Sequence, residues 1–320
     1  MYCKETSLRC FLTALSLTVL AAACTRLDRT EDYIRVQAAV EKGGIIQPQV
    51  KGAPSNTLGS SFSAWAYAYT GSIGTPNYLC GETFSQVDAT SSYKSADVHA
   101  SLASSYTVKW WAISPVSPAG VTGLPTANSS GSPSFSYTTP ATVTSQQDLL
   151  VASPAVQAGD AAAPNLVFSH VLGGLQFCTS STAANVPPCT INSISVSNVQ
   201  NAATWTDGIG WSGKTGSATF TINPAHAVSA GATNTLMHQA SESMLLLPQT
   251  LTGTLTINFT PAGLDPVEAS VILPDITLTA GKISVLRIVL TNDAEISIEA
   301  QESLFFGEKP GSDLQGIDFN

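Results

Sequence analysis

The stretch MLLLPQTLTGTLTINFT, Met244 to Thr260, carries the clearest structural signal in this 320-residue chain. Leu251, Gly253, Leu255, Ile257 and Phe259 share one parity, while Thr252, Thr254, Thr256, Asn258 and Thr260 hold the other. Such alternation is what a half-buried strand requires, because successive side chains point to opposite faces of a sheet. Threonine is β-branched and suits the wet side of a pleated surface. Pro248 has no backbone N–H to give, so it belongs at a strand start, an edge or a bulge. Met244 to Leu247 are apolar without alternation and read as the end of a preceding buried strand.

The pattern repeats on both sides. Upstream, Leu166, Phe168, His170 and Leu172 share a parity, Gly173-Gly174 allows a bend or bulge, and Leu175 and Phe177 continue on the other parity. Ile194 with Val196, and Ala218, Phe220 and Ile222, follow at period two. Downstream, Ile276 to Leu290 switches parity near Leu286, which predicts burial on both faces or a bulge. Ala294, Ile296, Ile298 and Ala300 alternate with Glu295, Ser297 and Glu299 to give one acidic wet face.

The N-terminal half is less regular. Ile34, Val36, Ala38 and Val40 mark a first strand, followed by a glycine- and proline-rich loop to Pro54. Trp65 to Tyr69 alternates aromatic residues with alanine, and Tyr106, Val108 and Trp110 alternate before Pro115. Asp88 to Ser105, with Val98 and Leu102 four apart, is the one place where a short helix is expected. Ser153 to Pro164 lacks a core pattern and is taken as a domain boundary. The reading is therefore all-β, with β-sandwiches at 53–158 and 159–320 behind an anchor segment, 24–52, that holds the first strand.

Charged residues make up 11% of the chain and the net charge is −9. With no basic cluster to neutralise phosphates, nucleic acid and anionic membrane surfaces are excluded as expected partners. Lys4 and Arg9 precede an apolar run from Phe11 to Ala23, an export signal too short to span a bilayer, which takes about 20 apolar residues. Its end, Leu20-Ala21-Ala22-Ala23-Cys24, resembles a lipobox, although the large aliphatic residue lies one place further out than usual and Ala21 takes its position. On that reading residues 1–23 are removed and Cys24 becomes the acylated first residue. The alternative is an ordinary signal peptide with an incidental cysteine. Cys80, Cys178 and Cys189 then remain in an oxidising compartment. A Cys178–Cys189 bridge would close a short loop and contribute roughly 2.5 to 3 kcal/mol; the alternative is two half-buried thiols.

Chemistry-bearing patterns are sparse. Gly208-Ile209-Gly210-Trp211-Ser212-Gly213-Lys214-Thr215 fits the spacing of a phosphate-binding loop. That loop needs a buried strand before it and a helix after it, and neither pattern is present, so a glycine-rich hairpin loop is expected instead. His99, His170, His226 and His238 lack partners at metal-ligand spacing, and His170 among apolar neighbours reads as a hydrogen-bonded core residue. No G-x-S-x-G elbow occurs. The expectation is a non-catalytic protein with no cofactor and no metal. Trp65, Tyr67, Tyr69, Trp110 and Trp111 have two readings, a sugar-stacking surface or a core, and alternation in a strand favours the core.

LLLPQTL with its alternating strand, together with Asp148-Leu149-Leu150-Val151-Ala152, Val167-Phe168-Ser169-His170-Val171-Leu172 and Thr277-Leu278-Thr279-Ala280-Gly281-Lys282, resembles the fimbrillin-like lipoproteins of Bacteroidetes, the subunits of type V pili. The resemblance implies two consecutive transthyretin-like sandwiches, an outer-membrane lipid anchor at Cys24, and assembly into an adhesive surface fimbria. In that family a protease removes the first strand and a strand from the neighbouring subunit fills the groove. Here the candidate processing sites are Arg35 and Lys42, since no further arginine occurs before Arg287. The tail supplies the candidate donor, with Ile317 and Phe319 two apart and able to add to a sheet edge. The other reading has both ends completing their own domain, in a monomeric surface lipoprotein that binds a glycan or host protein.

Overall fold

The computed structural model describes residues 32–41, 58–87, 91–157, 164–181, 188–229, 242–273, 275–290 and 296–305, with short pieces at 231, 235–237 and 239. Among these the helical residues are 3-10 only, Val143–Ser145 and Glu242, and nearly all other regular structure is strand. The helix expected within 88–105 is replaced by the strand Ser92–His99. Its Tyr93 is buried and its neighbours on both sides are strands, so sheet pairing overrides the weak four-residue spacing of Val98 and Leu102.

Alternation in the N-terminal half builds a barrel. An eight-stranded sheet runs in the order Ser61–Tyr69, Leu79–Gln86, Ser92–His99, Asp32–Val40, Asn165–His170, Leu150–Ala152, Thr107–Ser114 and Ala155–Gln157. Thr107–Ser114 also pairs with Ser61–Tyr69, so all but the short last strand close into a ring. Closure gives each of those strands a neighbour on both sides along part of its length. Phe62, Ala64, Ala66, Phe84, Tyr93, Trp110, Ala112 and Phe168 fill the interior.

The opposite parity of the same wall is also buried. Trp65, Tyr67, Trp111, Ile113 and Val151 turn outward into a second cluster with Phe135, Tyr137, Ala203 and Trp205. These last come from a four-stranded sheet in which Ala202–Thr206 pairs Ser134–Thr138 on one side and Gly210–Thr215 on the other. Cys178, Leu245, Leu247, Ile283 and Val285 close this cluster from the C-terminal side. Beyond them two five-stranded sheets, centred on Gly173–Ser181 with Lys282–Leu290 and on Cys189–Val199 with Thr254–Pro261, contribute to a third cluster.

Only the C-terminal part is thus a two-sheet sandwich. The N-terminal part is a closed barrel with a sheet packed against its wall, and the halves interleave. Asn165–His170, which a boundary at 158/159 assigns to the second body, is a barrel strand, and the 202–215 hairpin covers the barrel from the other half. Within Ser153 to Pro164, Ala155–Gln157 is itself a short strand of the barrel sheet, paired with Thr107–Ser114.

Met244 to Thr260 behaves as its pattern requires. Leu251, Leu255, Ile257 and Phe259 are buried and the intervening threonines are not. A side chain at Gly253 would collide with the Ser197 carbonyl oxygen, so the position admits no Cβ. Met244 and Leu246 face the sandwich core while Leu245 and Leu247 face the barrel-side cluster, which explains an apolar run without alternation. Pro248 lies in the connection between Met244–Leu246 and Thr250–Leu251. The parity switch near Leu286 has the same cause: Ile283 and Val285 face one cluster, Leu286, Ile288 and Leu290 the other, across a register shift.

Candidate functional site

Asp32–Val40, the first strand, occupies an interior position in the barrel wall. It pairs antiparallel with Ser92–His99 and parallel with Asn165–His170, where Gln37, Ala38, Ala39 and Val40 sit opposite Asn165, Leu166, Val167 and Phe168. Val36, Ala38 and Val40 point inward and are buried. Phe62 anchors the interior by contacting Phe84, Tyr93 and Phe168, with ring centroids 5.4, 5.1 and 5.1 Å away. Fully burying a valine side chain contributes about 1.5–3 kcal/mol, so the inward face is the main attachment of this strand.

The upstream end is held differently. The register shifts between Tyr33 and Arg35, and the Ile34 N–H donates to Ser95 Oγ at 2.9 Å instead of to a ladder carbonyl. Arg35 is exposed and lies opposite Lys94, whose ammonium sits 4.6 Å from the Tyr33 ring centroid. Like charges directly opposite weaken a strand pair, while the cation over the ring offsets part of that cost. The sequence gives no sign of Lys94 as the neighbour of Arg35, because the pairing spans a long stretch of chain.

The four stretches that carry the family resemblance meet at the junction between barrel and sandwich. His170 Nδ1 lies 2.8 and 3.0 Å from the two Asp148 carboxylate oxygens, with both side chains largely buried. The Val171 N–H donates to the Leu149 carbonyl at 3.0 Å, the Gly281 N–H to Leu172 at 2.9 Å, and the Leu278 N–H to Gln249 at 2.8 Å. Buried Gln249 extends the joint: its Nε2 donates to Gln200 O at 2.8 Å and its Oε1 accepts from the Gln200 N–H at 2.9 Å. A Cβ on Gly173 would press on the Thr279 carbonyl oxygen at 3.0 Å. These contacts join the barrel to the sandwich. His170 is a core histidine, as its apolar neighbours predict.

Other expected sites are placed as follows. Cys24, Lys42, Ile317 and Phe319 lie outside the described residues. Cys178 and Cys189 are both buried thiols with no bridge between them. Cys178 turns into the barrel-side cluster and Cys189 into the sandwich core, on different sides of the sheet that carries Gly173–Ser181. Burial pushes the Cys189 thiol up to about 11.

The phosphate-loop spacing at 208–215 belongs to a hairpin. Ala202–Thr206 leads into a turn, and Gly210–Thr215 is itself the returning strand. The upstream strand does exist, contrary to the expectation from composition, because Ala203 and Trp205 alone supply its buried face. No helix follows Gly213, so no convergent donors form a phosphate cradle. Trp205 stacks on Phe135 at 5.4 Å, and Trp211 Nε1 donates to the Val171 carbonyl at 2.6 Å. Trp65, Tyr67, Trp110 and Trp111 are buried, and Tyr69 is half-buried, so they form core and not a sugar-stacking face. Burial, reinforced by Cys80 and then Asp207, pushes the Tyr67 hydroxyl up to about 12. Among the described residues no group of three His, Cys, Asp or Glu side chains is placed to hold a metal, and no helix is long and apolar enough to cross a membrane.

No curated protein matches the chain in sequence. In fold it is similar to a proposed cell adhesion protein from Bacteroides ovatus, with a TM-score of 0.60 at 14% identity, covering 88% of this chain and 100% of the other. A second proposed cell adhesion protein, from Bacteroides uniformis, gives 0.51 at 18% identity, over 84% and 98% of the two chains. At such identities the likeness is one of fold. The family model described as fimbrillin-like matches residues 58–301, more than half of the sequence. The chain belongs to the fimbrillin-like family.

Proposed function

We propose that this protein is a non-catalytic subunit of an adhesive surface fimbria, exported as an outer-membrane lipoprotein through Cys24 and assembled by exchange of its first strand. The observation that carries the reading is the position of Asp32–Val40, a wall strand paired with Ser92–His99 along its first half and with Asn165–His170 along its second, with three inward side chains buried. Losing this strand would leave two open edges flanking an apolar slot, which is what an incoming strand needs for backbone hydrogen bonds and side-chain pockets. Family membership and the fold of the cell adhesion proteins support the same role.

The register of the first strand supports one of the two processing candidates over the other. A cut after Arg35 leaves Val36, Ala38, Val40 and every pairing with Asn165–His170 on the retained chain, so the slot stays filled. A cut after Lys42 releases the whole strand. We therefore assign the activating cut to Lys42 and the incoming strand to the tail around Ile317 and Phe319 of another copy or a related subunit. N-terminal sequencing of purified fibres tests this, with a start at Gly43 expected. Fibres whose every copy retains acylated Cys24 would reject assembly by strand removal and leave a stand-alone surface lipoprotein.

A further inference from the structure

Half of the large apolar side chains that are strongly exposed among the described residues fall within one hairpin: Leu264 at 64%, Val267 at 42%, Val271 at 39% and Ile272 at 76%. Val267–Ile272 pairs with Thr254–Pro261 and ends its sheet, with no strand beyond it among the described residues. It carries no lysine and no proline, the usual devices that keep an open edge from pairing. Val267 and Val271 lie opposite Phe259 and Leu255, on the core side of the sheet, yet stay well exposed, with no described strand continuing the sheet past them.

We propose that this edge pairs antiparallel with the same edge of a second copy, about a two-fold axis through Ala269. An axis perpendicular to the sheet keeps core face on core face, so opposed residues must share parity. Centring on Ala269 sets Val267 against Val271 of the second copy and Ile272 against Pro266, apolar on apolar in each case. Glu268, the strand's only charge, meets a Ser270 hydroxyl and no carboxylate faces another. Centring between Ala269 and Ser270 would instead join opposite faces and set Glu268 against Val271. The strand is therefore self-complementary in one register, which favours a second copy over a foreign strand. Assembly through the first strand uses a different sheet, so this contact stands or falls independently of that function.

The test uses the chain from residue 24 on, with Cys24→Ser and Cys80→Ala, followed by light scattering across a dilution series. A dimer that dissociates on dilution is expected, and Val271→Lys should leave a monomer. Opposed Cα atoms in an antiparallel pair are about 4.5–5.5 Å apart, within disulfide reach, while diagonal neighbours are about 7–8 Å apart. Ala269→Cys should therefore cross-link under oxidation and Ser270→Cys should not, a result that stands even if the lysine variant misfolds. A monomer at every concentration, a dimer indifferent to Val271→Lys with no Ala269→Cys cross-link, or a monomer whose edge amides resist hydrogen exchange because its own chain covers them would each overturn the proposal.

Discussion

Burial fixes the behaviour of individual side chains here more than any pairing of reactive groups does. Cys178 and Cys189 enter different cores, and Cys80 is exposed. Unfolding without reductant should therefore release two more thiols than the native protein offers to a thiol reagent, and intact mass should not shift on reduction. A single reactive thiol after unfolding would show the bridge instead. Alkaline pH probes the same burial. The Cys189 thiol, ordinarily near 9.0, rises to about 11, and the Tyr67 hydroxyl, ordinarily near 10.0, rises to about 12. Tyr137 is raised as well, chiefly by desolvation. A group whose folded value is raised stays protonated in the native state while the unfolded chain ionises, so stability is whole below pH 9 and falls from there toward pH 12. Melting temperature measured from pH 7 to 11 should be flat at first and drop in that window; a flat profile throughout would contradict the burial. Neither cysteine's environment was legible from spacing, because ten intervening residues say nothing about which side of a sheet each side chain takes.

At the scale of the strand, alternation was the readable signal and its absence was informative too. Leu255, Ile257 and Phe259 are buried as their parity predicts, since one face of Thr254–Pro261 is wet. Met244 to Leu247 showed no parity because two cores meet across them. This predicts that Leu245→Ala and Leu246→Ala each lose about 2–5 kcal/mol in denaturant unfolding, although their side chains point opposite ways. Thr256→Ala, on the wet face of the next strand, should stay within about 1 kcal/mol even though its hydroxyl meets Ser270 at 2.9 Å. A tolerated Leu245→Ala would mean that the barrel-side cluster is not packed as described. The strand Ser92–His99 is hidden for the converse reason: Ser95 is buried and Val98 is exposed, so its composition contradicts its position, and only the neighbours that pair with it make it a strand. Gly253 shows what a sequence marks without explaining, a glycine kept in a strand because the Ser197 carbonyl lies where its side chain would be.

For the whole molecule, what the sequence could not reveal is closure. Ring formation depends on Ser61–Tyr69 meeting Thr107–Ser114 and on Asp32–Val40 meeting Asn165–His170, pairings between segments far apart in the chain with no local signature. Closure is also what gives the first strand its importance, because a wall strand cannot leave without exposing an apolar interior. The inward side chains of that strand, Val36, Ala38 and Val40, are small, and they face Phe62, Phe84, Tyr93 and Phe168. A replacement strand must therefore present small or medium apolar residues at alternate positions and match backbone bonds on both sides. A synthetic peptide covering residues 32–41 meets those terms by construction. Added to protein cut after Lys42, it should refill the slot and stop fibre growth in electron micrographs. The same peptide with Val36→Lys should fail, since it would bury an ammonium with no partner in the barrel interior, where an unpaired charge costs several kcal/mol. Protein cut after Arg35 should not grow fibres with or without peptide, because its slot is already occupied. Fibres from that product, or growth unaffected by the wild-type peptide, would show that assembly proceeds by a route other than this slot.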